Sequence, residues 1–134
     1  MAREVCVTIG NDKYKTTVTI EPSHVLIADE PQDVGGTDQG PAPSEFFLTA
    51  LGSCKVITMR MYADRKSWPL ETATVNLSME SLPSELQVTT YIKCHIDLQG
   101  KLSEEQRNRL LKIAEKCPIH KILSNPIVIE SNLV

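Results

Sequence analysis

The segment from Phe46 to about Lys66 limits the folds open to this chain more than any other. Phe46, Phe47, Leu48, Ala50 and Leu51 make its first two turns apolar nearly all round. That is the mark of a helix inside a core, not of one lying on a surface. Pro43-Ser44-Glu45 opens it, with the proline and the capping residue where a first turn tolerates them. Arg60, Asp64, Arg65 and Lys66 return the far end to solvent, and Pro69 stops it. A short chain with such a helix at its centre has to use most of its other residues to cover it.

Those residues read mainly as sheet. Val5, Val7 and Ile9 alternate with polar partners, Gly10-Asn11-Asp12 marks a turn, and Thr16, Val18 and Ile20 alternate again, which predicts a hairpin. Pro22-Ser23 breaks the pattern, and His24 to Ala28 reads as a third strand. From Pro31 to Pro43 the stretch PQDVGGTDQGPAP has no apolar periodicity. A loop of that length is usually functional or disordered.

Beyond the helix, Ala73, Val75, Leu77 and Met79 share one face of a strand running to Glu80. Val88, Thr90, Ile92, Cys94, Ile96 and Leu98 share one face of the next, with SLPS (81–84) as the hairpin loop between them. Ser103-Glu104-Glu105-Gln106 is a capping-box start for a second helix. Pro118 disfavours helix at Cys117, so a break falls there and PIHKIL forms a short further helix. Ile127 to Glu130 is expected to be a final strand. The pattern predicts an α+β fold, antiparallel sheet packed with helices, in a single domain over 1–134.

Charge and hydropathy remove several functions. The 14 Lys+Arg against 17 Asp+Glu are scattered, without the basic stripe that binding to nucleic acid needs. No apolar run approaches the roughly 20 residues of a membrane-spanning helix, and MAREVCVTIG lacks the apolar core of a signal peptide. A cytoplasmic protein is expected. GGTDQG lacks the Lys-Ser/Thr of a phosphate-binding loop.

Four cysteines remain to be assigned, at wide and irregular spacings that argue against structural disulfides in such a compartment. Cys94 takes a place in the apolar alternation of its strand and reads as a small hydrophobic filler. Cys6 lies opposite Val5, Val7 and Ile9, with nothing activating around it. Cys54 lies in Leu51-Gly52-Ser53-Cys54, where small residues either leave room for close approach or permit tight helix packing. It is too far along the helix for the terminal dipole to hold its thiolate, so another charge is required. Cys117 precedes Pro118 at the mouth of the short helix, where free amides lower a thiol pKa; the competing reading is a buried residue closing the preceding helix. Cys117 and His120 have the spacing of two metal ligands, and zinc held by Cys54, Cys117 and His120 is the metal alternative. A Cys54–His120 nucleophilic pair for acyl transfer is another. Otherwise His24 and His120 read as loop and helix-surface histidines.

GGTDQGPAPSEFFLTALGSC, continuing into KVITMRMYADRKSWPLE, together with EKCPIHKIL, resembles the OsmC/Ohr family of osmotically inducible and organic hydroperoxide resistance proteins, and its OsmC-like branch in particular. The resemblance implies an OsmC-like fold: antiparallel sheets wrapped around a buried central helix in an intertwined homodimer. It implies a thiol-dependent peroxidase needing no metal and no cofactor, with a hydroperoxide substrate and a dithiol reductant. Cys54 matches the peroxidatic cysteine and Cys117 the resolving one. In the first hairpin, where the family places an arginine beside the thiolate, this chain has Gly10-Asn11-Asp12-Lys13. The glutamate that orients that arginine falls at Ser44, one residue before Glu45, which is the candidate for its role. At about 3.6 residues per turn, Glu45 faces away from Cys54, and a helix-start charge is its alternative role. The missing arginine motivates a second reading, a non-enzymatic ligand-binding module on the same fold.

Overall fold

A computed structural model describes residues 3–21 and 23–134. Pro22, half of the expected Pro22-Ser23 break, and the first two residues of the N-terminal segment lie outside them. The chain forms two compact units, Met1–Phe47 and Leu48–Val134.

In the first unit the alternating segments become three antiparallel strands in the order β1-β2-β3: β1 (Cys6–Ile9), β2 (Thr16–Ile20) and β3 (His24–Ala28). Cys6 pairs with Thr19, Ile9 with Thr16 and Ile20 with His24, as the hairpin pattern requires. The loop that follows is ordered around one side chain. Asp29, 2% exposed, accepts hydrogen bonds from the amides of Glu30 (2.7 Å), Tyr14 (3.1 Å), Gln39 (3.1 Å) and Thr37 (3.3 Å) and from the Thr37 hydroxyl. The Thr37 hydroxyl, followed by the amides of Glu30, Gln39 and Tyr14, holds its carboxyl far below the ordinary range, against the opposing effect of burial. Gly40 is required by this wrapping, because a Cβ there would run into the Ile27 carbonyl.

Helix α1 (Pro43–Arg65) is continuous over the predicted range, and its first turn belongs to the first unit. Its burial differs from expectation. Leu51, Gly52, Lys55, Met59 and Ala63 form one buried stripe at helical spacing, while Phe47, Ile57 and Met61 are exposed. In the second unit the core packs on that stripe: Met59 and Ala63 meet Leu70, Leu98, Leu110 and Ala114.

The second sheet is one long hairpin, β4 (Leu70–Pro83) with β5 (Val88–Gly100). Ser81, Leu82 and Pro83, expected in the loop, continue the strand, and Pro83 pairs with Val88. In a two-stranded sheet both strands are edges, where proline's missing N–H costs no ladder bond. The turn is closed instead by Ser84, whose amide and hydroxyl both donate to the Gln87 carbonyl (2.7 and 2.9 Å).

Helix α2 (Glu104–Ala114) starts at Ser103 with the full capping box. Arg107 ties it to the end of β5 by donating to the carbonyls of Leu98 (2.6 Å) and Gly100 (3.0 Å). Helix α3 (Pro118–Leu123) has its proline in the first turn, as expected. The strand expected at Ile127 to Glu130 is absent. The β-branched run there is compatible with a strand, but no described strand pairs with it, and Val128 and Ile129 are 83% and 84% exposed. Among the described residues no helix is long and apolar enough to cross a membrane.

Candidate active site

Five groups of the second unit converge where α1, the end of α2 and the start of α3 meet. Cys54 and Lys55 come from α1, the Ala114 carbonyl from the end of α2, and Cys117 and His120 from α3 and its cap. Of the small residues before Cys54, Gly52 serves packing: the space over it is filled by Leu77 of β4, whose Cδ1 lies 2.7 Å from where a Cβ would stand, while Ser53 is exposed.

Cys117 is the N-cap of α3. Pro118 keeps it extended, and its Sγ accepts from the His120 amide at 3.3 Å. It is fully enclosed, whereas Cys54 is half-buried; both are free thiols. Cys54 lies near enough to act on the Cys117 thiol. The expectation that helix-start amides lower the Cys117 pKa is reversed in the balance. Burial pushes the thiol up most, the His120 amide pulls it down, and the hydrogen bond and charge of Cys54 push it up further. The Lys55 charge pulls it down.

Lys55 is the residue the sequence reading missed. It is 3% exposed, and its Nζ donates to the Ala114 carbonyl and to His120 Nδ1, each at 2.9 Å. An ammonium has donors only, so His120 Nδ1 is the acceptor and the ring's proton is on Nε2. His120 is therefore no surface histidine: burial first, then the Lys55 charge, lower its pKa, with Glu115 opposing. A signal was available in the helical spacing, because Lys55 lies four residues after Leu51 and four before Met59, within the apolar stripe.

A cavity of about 350 Å³ adjoins these groups, lined in part by Leu51, Lys55, Ile92, Cys94, Ile96 and His120. Cys94, expected as filler, is half-buried in its wall. The zinc alternative finds no support: among the described residues no three His, Cys, Asp or Glu side chains are grouped to hold a metal. At the head of α1, Glu45 accepts from the Ala42 amide at 2.7 Å, which fits the helix-start role weighed for it. Lys13 lies in the first unit and Cys6 is exposed on β1.

The family model described as OsmC-like protein matches residues 36–132. A search of curated proteins found no match. Among solved structures, an OsmC-like protein from Mycoplasma pneumoniae superposes with a TM-score of 0.78 at 16% identity, over 92% of this chain and 88% of that one. An organic hydroperoxide resistance protein OsmC from Legionella pneumophila gives 0.66 at 20% identity, over 92% and 89%. An organic hydroperoxide resistance protein from Elizabethkingia anophelis gives 0.67 at 15% identity, over 91% and 89%. At these identities the likeness is one of fold.

Proposed function

The chain belongs to the OsmC-like protein family, and on that footing we propose that it is a two-cysteine, thiol-dependent peroxidase acting on organic hydroperoxides or hydrogen peroxide. The observation that carries the reading is the cysteine pair: a half-buried Cys54, open to an incoming substrate, beside a fully enclosed Cys117 that is shielded from it. Structural neighbours named as organic hydroperoxide resistance proteins support the substrate class.

In the proposed cycle the Cys54 thiolate attacks the terminal peroxide oxygen. The O–O bond breaks, the alkoxide takes a proton and leaves as alcohol, and Cys54 becomes a sulfenic acid. Cys117 loses its proton and attacks the Cys54 sulfur; hydroxide leaves, is protonated to water, and a disulfide remains. An external dithiol reduces that disulfide and is itself oxidised. Glu45 enters the proposal as the residue that fixes the first turn of α1.

A homodimer is part of the proposal, supported by Ile57 and Met61 of α1, which are 52% and 62% exposed. So is a cytoplasmic location, where a reducing pool keeps such thiols ready for a cycle.

The test is consumption of cumene hydroperoxide in the presence of dithiothreitol. Cys54→Ser removes all turnover, and Cys117→Ser allows one oxidation event per chain without dithiol-linked cycling through the internal disulfide. Full turnover by Cys54→Ser contradicts the assignment. The cavity beside Lys55 favours a second reading, the ligand-binding module. Under it, apolar ligands bind equally well to the wild type and to a chain lacking both cysteines, and no peroxide is consumed.

A further inference from the structure

Lys55 is a buried cation without a buried counter-ion. Its two hydrogen-bond acceptors, the Ala114 carbonyl and His120 Nδ1, are neutral, and no salt bridge involves it among the described residues. A charge removed from water is costly unless an opposite charge compensates it. The groups able to become anions around it are Cys54 on its own helix, Cys94 on β5 across the cavity, Glu115 after α2, and Cys117 at the cap of α3. Glu115 is exposed, so water screens its charge, and it makes no ion pair with Lys55 within 4 Å. Cys54 and Cys94 are only half-buried, whereas Cys117 is fully enclosed, so the enclosed anion available is the Cys117 thiolate.

We propose that Lys55, clamped by His120 and the Ala114 carbonyl, is a positioning cation whose charge stabilises the Cys117 thiolate. His120 has two parts in this arrangement. Its amide holds the Cys117 sulfur, and its ring fixes the Lys55 ammonium without adding a second positive charge. Two cations 2.9 Å apart repel strongly in a dry site, so the pair carries one charge, and the direction in which Lys55 moves both Cys117 and His120 agrees with this. The proposal deepens the peroxidase reading and rests on it for its purpose, because Cys117 has to lose a proton before it can resolve the sulfenic acid. The assignment itself concerns ionisation and can be read without peroxide.

The experiment is a pH titration of thiolate absorbance in the full chain with Cys6, Cys54 and Cys94 replaced by Ser, so that Cys117 titrates alone. Lys55→Met is expected to raise the midpoint by about one pH unit, a tenfold loss of thiolate at pH values well below it. Lys55→Gln, which keeps hydrogen-bond donors but no charge, is expected to do the same. His120→Asn raises the midpoint less, and adds nothing once Lys55 is Met. An unchanged midpoint in Lys55→Met, or a wild-type midpoint in Lys55→Gln, overturns the proposal, the second by assigning Lys55 a hydrogen-bonding role alone. Where a substitution prevents folding, NMR of the cysteine-reduced wild type replaces it. The Lys55 Cε and His120 ring resonances shift with the Cys117 titration if the charge is coupled, and stay flat if it is not. Wild-type protein that consumes no peroxide while Lys55→Met still moves the midpoint removes the peroxidase reading and keeps this one. Peroxide turnover with an unmoved midpoint does the reverse.

Discussion

Gly52→Ala puts two opposed effects at one position, two residues before Cys54. A Cβ on Gly52 falls 2.7 Å from Leu77 Cδ1, against an optimal carbon–carbon separation of about 3.5–4.0 Å. The Leu77 methyl therefore has to retreat by about 1 Å. It is the far end of a flexible side chain, so the overpacking cost lies at the low end of the usual range, about 1 kcal/mol. Against it stands the gain from replacing glycine in the middle of a helix, about 0.5–1 kcal/mol. The single variant is thus expected within about 0.5 kcal/mol of wild type.

Leu77→Ala removes the obstacle, and in that background Gly52→Ala should stabilise by its full helix gain, about 0.5–1 kcal/mol. The coupling between the two changes is then about 1 kcal/mol. The assay is urea unfolding of the four chains followed by circular dichroism. If the effects add within about 0.3 kcal/mol, with Gly52→Ala stabilising both backgrounds equally, the contact with Leu77 is not what calls for glycine there.

Leu110 is fully buried in the core of the second unit, so Leu110→Ala should cost about 2–5 kcal/mol. Leu86→Ala, at a site 95% exposed, should stay within about 0.5 kcal/mol; equal losses would contradict the core assignment. The Asp29 carboxyl is depressed in the folded state, so its contribution is complete above its unfolded pKa of about 3.9 and is lost as the pH falls from there through the native value. Asp29→Asn should flatten that part of the stability–pH curve, and parallel curves for the two proteins would refute the loop's dependence on it. His120 is also depressed, so stability should decline as the pH falls below about 6.5 and level off beneath the native pKa. His120→Asn should remove that decline, and its persistence would place the titrating group elsewhere.

The strands and helices were legible wherever one face is wet and the other packed. The hairpin of β1 and β2, the range of α1, the capping box of α2 and the proline-started α3 all follow from local pattern. Pro83 was misread because a proline signals a turn within a sheet but not on an edge, and the number of strands in a sheet is a tertiary fact. Ile127 to Glu130 was misread for the converse reason: a β-branched run favours a strand, but a partner is also required. The cysteines of the candidate site were found from the resemblance, with pattern leaving each of them open. Lys55 was hidden by its charge, which ordinarily marks an exposed position. Its burial depends on His120 and Ala114, more than fifty residues away in sequence.

The central claim is that Cys54 and Cys117 act as one redox pair. Its most direct test is mass spectrometry of the reduced wild-type chain after one equivalent of peroxide. The expected product is a Cys54–Cys117 disulfide with Cys6 and Cys94 still free. Cys54 carried to the sulfinic acid while Cys117 remains a free thiol would contradict it.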